Sequence, residues 1–73
     1  MTEQSYLVSG MTCDHCVRAV KDEISGLPGV TQVEVDLVPG AVSTVIVASD
    51  EQVAESSIRE AVSEAGYEVV AVR

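Results

Sequence analysis

The chain has 73 residues, a length that allows one small domain and leaves no room for a deep cleft lined by several catalytic groups. Its net charge is −8, which argues against the basic surfaces that bind nucleic acids or anionic membranes. Hydrophobic residues make up 47% of the chain, but the aromatic ones are only Tyr6 and Tyr67. This composition favours a sheet-rich core of small branched side chains.

No segment resembles a secretory signal peptide or a membrane span. Residues 1–4 lack a basic start followed by an apolar run, and nothing approaches the ~20 apolar residues that cross a bilayer. We therefore expect a cytoplasmic protein, in a compartment that keeps thiols reduced. That setting favours metal binding or redox chemistry over a structural disulfide.

The first half of the chain predicts a strand, a helix and a second strand. Residues 4–8 form the first strand, and a loop follows it at Gly10. From Asp14 onward, apolar residues recur at intervals of three and four, which predicts a helix that ends near Gly26. The apolar stripe of this helix consists of Val17, Val20, Ile24 and Leu27. Residues 30–37 end in clear alternation, which predicts a half-buried strand.

The second half predicts a strand, a helix and a final strand. Pro39-Gly40 predicts a turn, so residues 42–48 should pair with the preceding strand as an antiparallel hairpin. Ser49 and Gln52 fit a capping box, which predicts that the second helix begins at Ser49. Gly66 is placed to end that helix, and residues 67–72 form the last strand.

This order of elements predicts the fold class. Two strand–helix–strand units with right-handed crossovers give an α+β, ferredoxin-like βαββαβ fold, with a four-stranded antiparallel sheet and both helices on one face. We expect a single domain over residues 1–73, because no linker or low-complexity tract interrupts the chain.

Both cysteines lie in the run Met-Thr-Cys-Asp-His-Cys at residues 11–16. Cys16 falls in the first turn of the predicted helix, where the helix dipole and unpaired N–H groups stabilise a thiolate. Its angular position beside the apolar stripe predicts a partly sheltered sulfur, whereas Cys13 should point outward.

Three uses of such a pair compete. A zinc cage needs four ligands, and only His15 is available locally to add to the two sulfurs. Thioredoxin-like proteins use a cysteine pair at the start of a helix as a redox dithiol. Those proteins, however, have longer chains and a different strand order. A soft ion such as Cu(I) needs only two thiolates.

Residues 10–16, Gly-Met-Thr-Cys-Asp-His-Cys, resemble the GMTCxxC signature of heavy-metal-associated domains. The resemblance continues at Gly29-Val30 and at Gly66-Tyr67-Glu68, and it covers essentially the whole chain. It is strongest to bacterial cytosolic copper chaperones, which function in copper homeostasis. It implies a binding protein, not an enzyme, in which Cys13 and Cys16 hold Cu(I). The ion would pass by ligand exchange to a partner such as the metal-binding domain of a copper-transporting P-type ATPase.

The residues beside the cysteines bear on the choice of metal. Zinc- and cadmium-linked relatives often carry an acidic residue at the position of Thr12. The absence of that oxygen ligand here favours copper. Asp14 between the cysteines leaves an oxygen ligand open. The alternatives are therefore a Zn(II) or other soft-metal domain of the same fold, and a thiol redox protein.

Four residues are candidates for tuning the site: Met11, Thr12, His15 and Tyr67. Met11 could offer its thioether sulfur as a ligand, but we expect it to pack under the loop and hold it in place, as methionine often does. His15 binds the metal, lowers the proton affinity of the thiolates, or is a solvated loop residue. By resemblance, Tyr67 leans over the site and shields it; otherwise it caps the core.

Arg18 and Lys21 are candidates for partner docking. They lie three residues apart on the solvent side of the first helix, and by resemblance they would dock an acidic patch of the ATPase domain. A merely solvated helix face is the alternative, because exposed charges are individually weak. A copper-responsive repressor is a second candidate acceptor. We expect a monomer without metal and hypothesise a copper-bridged dimer.

Overall fold

The structure is a computed structural model that describes residues 2–12 and 14–72. Within these ranges the chain forms four strands and two helices in alternating order. They are β1 (Thr2–Ser9), α1 (Asp14–Ser25), β2 (Val30–Asp36), β3 (Ser43–Ser49), α2 (Glu55–Glu64) and β4 (Glu68–Val72).

The four strands form one antiparallel sheet in the order β2-β3-β1-β4. The two strands that are central in the sheet, β1 and β3, come from different halves of the chain, so each half contributes one inner and one outer strand. This is the ferredoxin-like βαββαβ arrangement, and the predicted fold class is confirmed.

The core lies between one face of the sheet and the two helices. Alternate residues of β3 are buried, α1 packs against β2 and against α2, and α2 packs against β4. The buried apolar residues are Tyr6, Val8, Met11, Cys16, Val20, Ile24, Val33, Val45, Val47, Ile58, Ala61, Val62 and Val69. As the composition predicted, most are small and branched.

The strand register brings three connections to one end of the sheet. Val8, near the end of β1, pairs with Ser43 at the start of β3 and with Val69 in β4, and Ser9 pairs with Glu68. Three connections therefore lie at the same end: the loop between β1 and α1 (the cysteine loop, which leads to Cys16), the β2–β3 hairpin and the connection before β4. This register positions Tyr67 beside the start of the cysteine loop.

The predicted start of the second helix is wrong. Ser49 is the last residue of β3, pairs with Thr2 and Val30, and is only 2% exposed. The helix α2 begins six residues later, at Glu55, and its N-cap Ala54 makes no side-chain hydrogen bond. Strand pairing and burial at Ser49 outweighed its capping preference, because local propensity is weaker than tertiary contacts. The other boundaries agree with prediction to within two residues.

None of the helices within residues 2–12 and 14–72 has the length and apolar character needed to cross a membrane.

Candidate metal site

The loop between β1 and α1 is anchored at its start. Gly10 follows β1 with a φ of +92°, a left-handed conformation that side-chain-bearing residues rarely adopt. Met11 is fully buried in the core, so its side chain fixes the loop from below. The helix α1 then begins at Asp14. The described start of the cysteine loop, at Gly10 and Met11, is thus fixed in place.

Cys16 lies in the first turn of α1, as predicted. The residue is 8% exposed and belongs to the core cluster, so it is sheltered from solvent. The Thr12 hydroxyl oxygen Oγ1 lies 3.9 Å from Cys16 Sγ, within hydrogen-bonding distance for sulfur, and either atom can donate. A helix N-terminus favours negative charge, so this position suits a thiolate. Cys13, the other predicted ligand, lies outside the described residues.

The polar neighbours of Cys16 are solvent-facing. Thr12, Asp14 and His15 are all exposed, and Asp14 lies in the first turn of α1, where an acidic residue complements the helix dipole. Among residues 2–12 and 14–72, no three His, Cys, Asp or Glu side chains are grouped to hold an ion. The described part of the chain also has no enclosed pocket.

Tyr67 lies against the start of the cysteine loop. It is half-buried, and its backbone N–H donates to the Val62 carbonyl at 3.0 Å, which fixes the connection before β4. A Cβ atom added to Gly10 would be 3.3 Å from Tyr67 Cδ1, closer than ordinary carbon–carbon contact. The connection before β4 and the start of the cysteine loop therefore lie side by side, with the Tyr67 ring close to Gly10.

The predicted docking residues differ in exposure. Arg18 is exposed and Lys21 is half-buried. Neither makes an ion pair within the described part of the chain. Arg59, by contrast, donates from Nε to Glu55 Oε2 at 2.8 Å and from Nη1 to the Val69 carbonyl at 3.2 Å. Arg59 therefore has a structural role that neither Arg18 nor Lys21 shares among the described residues.

Sequence reasoning missed two features near the site. One is the contact of Gly10 with Tyr67, for which a glycine at a strand end was the available signal. The other is Ser43, which is fully buried and whose Oγ accepts a hydrogen bond from the Val38 N–H at 2.9 Å. This bond closes the β2–β3 hairpin beside the site, and no local pattern marked it.

Comparison with known proteins identifies the family. Residues 5–68 match the model of the heavy-metal-associated domain. A relative named copper chaperone CopZ, from Staphylococcus aureus strain bovine RF122 / ET3-1, is 39% identical over 70 residues. That alignment covers 96% of this chain and all of the relative.

Two solved structures share the fold and differ in the metal that their names give. The yeast copper transporter domain CCC2A, solved in apo and Cu(I)-loaded states, is 30% identical with a TM-score of 0.77, and 94% of each chain is covered. The N-terminal domain of ZntA in its Zn(II) form is 33% identical with a TM-score of 0.76, and the match covers 99% of this chain and 89% of that one. The chain therefore belongs to the heavy-metal-associated domain family.

Proposed function

We propose that the protein is a copper chaperone that binds Cu(I) through Cys13 and Cys16 and transfers it to a partner by ligand exchange. The observation that carries this proposal is the relation to CopZ. A protein named as a copper chaperone is matched along its whole length at 39% identity. The relation to a domain solved with Cu(I) supports the choice of oxidation state.

The chemistry of the site fits this role. Each thiol loses its proton when it binds, and two soft thiolates are a sufficient ligand set for Cu(I). Cys16 has a sheltered sulfur at a helix N-terminus, with the Thr12 hydroxyl beside it. A shallow two-coordinate site leaves room for a partner thiolate to add as a third ligand. One thiolate of this chain then leaves and takes up a proton. No covalent bond of a substrate is made or broken, so the protein is a carrier and not an enzyme.

Zn(II) is the second candidate cargo, because the zinc-loaded ZntA domain is 33% identical to this chain. Zinc prefers four ligands in a tetrahedral arrangement. Asp14 is exposed in the first turn of α1 and is the nearest available carboxylate in sequence. Thr12, where zinc-linked relatives often carry an acidic residue, and a ligand set of two thiolates both favour the low-coordinate ion.

A competitive titration tests the proposal. The reduced protein is titrated with Cu(I) without oxygen against a coloured Cu(I) chelator, with a parallel Zn(II) titration. The matched control is the Cys13→Ser/Cys16→Ser variant. We expect the wild type to remove copper from the chelator, to prefer copper over zinc strongly, and to lose this ability in the control. Copper that stays with the chelator would refute the proposal and favour the thiol redox alternative, for which the dithiol reduction potential is the next measurement.

We propose the metal-binding domain of a copper-transporting P-type ATPase as the acceptor, with Arg18 and Lys21 as docking residues. The fold shared with a copper transporter domain supports this choice. Arg18→Gln/Lys21→Gln should slow transfer to an acidic acceptor domain and reduce its salt dependence, because rim charges act mainly on association rates. Asp22→Asn/Glu23→Gln neutralises two exposed acids on the same helix and serves as the control. Equal slowing by both variants would refute docking through the two cations.

The remaining roles are proposed for the residues around the cysteines. Thr12 and His15 would favour the thiolate form, Tyr67 would shield the ion, and Met11 would hold the loop from the core. A copper-responsive repressor is a second proposed acceptor. A reducing compartment such as the cytoplasm keeps both thiols available for this chemistry. A copper-bridged dimer is proposed for the loaded protein.

A further inference from the structure

The turn of the β2–β3 hairpin is apolar although it faces solvent. Residues 38–42 have the sequence Val-Pro-Gly-Ala-Val, and all five are exposed. Connections that face water are normally built from polar residues together with glycine and proline. The turn itself accounts for the proline and the glycine, but it does not account for the valines. Val38 and Val42 are 43% and 41% exposed. We call these five residues the apolar turn.

The apolar turn is held in one conformation by two hydrogen bonds. The Val38 N–H donates to Ser43 Oγ at 2.9 Å, and the Ala41 N–H donates to the Val38 carbonyl at 3.1 Å. Because Ser43 is fully buried, the first bond ties the turn to the core. The two exposed valines are therefore displayed by a preformed element, and a partner that binds them has little chain to order.

The apolar turn lies beside the cysteine loop. Val8 in β1 pairs with Ser43 in β3, and neighbouring strands are about 4.8 Å apart. Val42, one residue before Ser43, therefore lies next to the end of β1, where the cysteine loop begins at Gly10. The exposed apolar residues thus border the end of the molecule that carries the candidate metal site.

Transfer by ligand exchange requires a partner protein to contact this end. During exchange, thiolates of both proteins bind the same ion, so the two surfaces around them come together. The whole molecule measures only 32 × 21 × 18 Å. A partner whose thiolates reach the ion therefore covers much of this end, including the border formed by the apolar turn.

We propose that the apolar turn is a docking element for the acceptor domain. Val38 and Val42 pack against an uncharged, apolar surface that lies beside the acceptor's own thiolate pair. This inference rests on the proposed copper-transfer function and adds a second contact to the cations of α1. The cations act on the encounter over a distance and are screened by salt. The valines act at contact, and their effect persists in high salt.

The chain offers a matched control for this surface. Val38→Thr/Val42→Thr replaces one methyl group of each valine by a hydroxyl and keeps the branched shape of the side chains. Val70 and Val72 are exposed to a similar extent, 48% and 38%. They lie on β4, at the opposite edge of the sheet from β2. Val70→Thr/Val72→Thr therefore makes the same chemical change away from the apolar turn.

The experiment compares two routes by which copper leaves the loaded protein. One acceptor is the metal-binding domain of a copper-transporting P-type ATPase from the same organism, and the other is a small Cu(I) chelator that needs no docking surface. Val38→Thr/Val42→Thr should slow transfer to the domain by roughly three- to thirtyfold, as expected when two apolar contacts are weakened. The slowing should persist at high salt, and removal by the chelator should keep the wild-type rate.

The control variant should match the wild type by both routes. Equal slowing by Val70→Thr/Val72→Thr would overturn the proposal, because exposed valines in general would then have the effect. Slower removal by the chelator in Val38→Thr/Val42→Thr would also overturn it, since the change would then act on the metal site.

A direct measurement of the contact does not depend on the variants. In NMR spectra of the isotope-labelled protein mixed with the acceptor domain, the amide signals of Val38 and Val42 should shift or broaden. Those of Val70 and Val72 should stay in place. Unchanged signals in the apolar turn would overturn the proposal. So would an apolar turn that serves a second copy of this chain, which would appear as loss of a copper-loaded dimer in Val38→Thr/Val42→Thr with transfer at the wild-type rate.

The outcomes also separate this inference from the proposed function. If the wild type does not hold Cu(I) in the chelator competition, the copper-chaperone proposal fails and this inference fails with it. If the wild type holds copper and transfers it, and Val38→Thr/Val42→Thr transfers it equally fast, only the docking role of the apolar turn is refuted.

Discussion

Arg59 should stabilise the fold mainly through its bond to the backbone of β4, and only in part through its ion pair. Its Nε is 2.8 Å from Glu55 Oε2, one helical turn earlier, and its Nη1 is 3.2 Å from the Val69 carbonyl. The second bond ties α2 to the strand that begins directly after Tyr67. We predict that Arg59→Met lowers the free energy of unfolding and leaves copper affinity unchanged.

The magnitude follows from the exposure of the two groups. The side chains of Arg59 and Glu55 are 45% and 53% exposed. Such a solvent-screened i,i+4 pair contributes only about 0.3–0.5 kcal/mol. A partly buried hydrogen bond from a cation to a backbone carbonyl contributes about 1 kcal/mol. Arg59→Met should therefore cost about 1–1.5 kcal/mol, and each kcal/mol lowers the Tm of a domain this small by about 4–8 °C.

A double-mutant cycle in urea, followed by circular dichroism, separates the two contributions. Glu55→Gln is the matched change, and the cycle cancels the effect of Glu55 on the dipole of α2. The coupling between the two changes should be about 0.3–0.5 kcal/mol and should shrink at high salt. The rest of the Arg59→Met cost should persist at high salt. If the coupling equals the whole cost of Arg59→Met, the Val69 bond contributes nothing and the reasoning is refuted.

Three further predictions concern pH, the thiol and the oligomeric state. Burial, with a smaller contribution from Glu55, raises the pKa of Tyr6 above 10.0. Tyr6 therefore ionises at lower pH in the unfolded state, so the free energy of unfolding should fall as pH rises above about 10. This fall should be less steep in Tyr6→Phe. Equal slopes of the unfolding free energy against pH for the two proteins, measured in urea melts, would contradict this. Thr12→Val removes the hydroxyl beside Cys16. It should weaken Cu(I) binding at pH 7 by roughly two- to tenfold, the effect expected for the loss of one modest hydrogen bond. An unchanged result in the chelator competition would show that this bond does not affect the Cu(I) affinity. Copper loading should produce a dimer in sedimentation experiments, and a monomer at every copper ratio would refute bridging.

The elements that could be predicted are those whose signal is local and periodic. Val20 and Ile24 follow the helical repeat, and both are fully buried where α1 packs on the core. The turn at Gly40 likewise joins two paired strands, because a short hairpin depends on its own residues. In these segments local preference and tertiary packing agree, so the sequence alone was sufficient.

The errors and omissions come from contacts between distant residues. Ser49 carries a capping preference, but it is buried and paired on both sides in β3. The Gly10–Tyr67 contact joins residues that are 57 positions apart in the chain. Its existence depends on the register of β1 with β4, which periodicity does not specify. The location of Cys16 was predictable because it depends only on where α1 begins.

The measurement that tests the central claim most directly is X-ray absorption at the copper edge of the loaded protein, in a buffer without added thiols. At one copper per protein, and at a concentration at which the loaded protein is monomeric, we predict Cu(I) with a first shell of two sulfur atoms, which is lost in Cys13→Ser/Cys16→Ser. A shell that contains nitrogen or oxygen ligands, or that is unchanged in the double variant, would contradict a two-thiolate copper site.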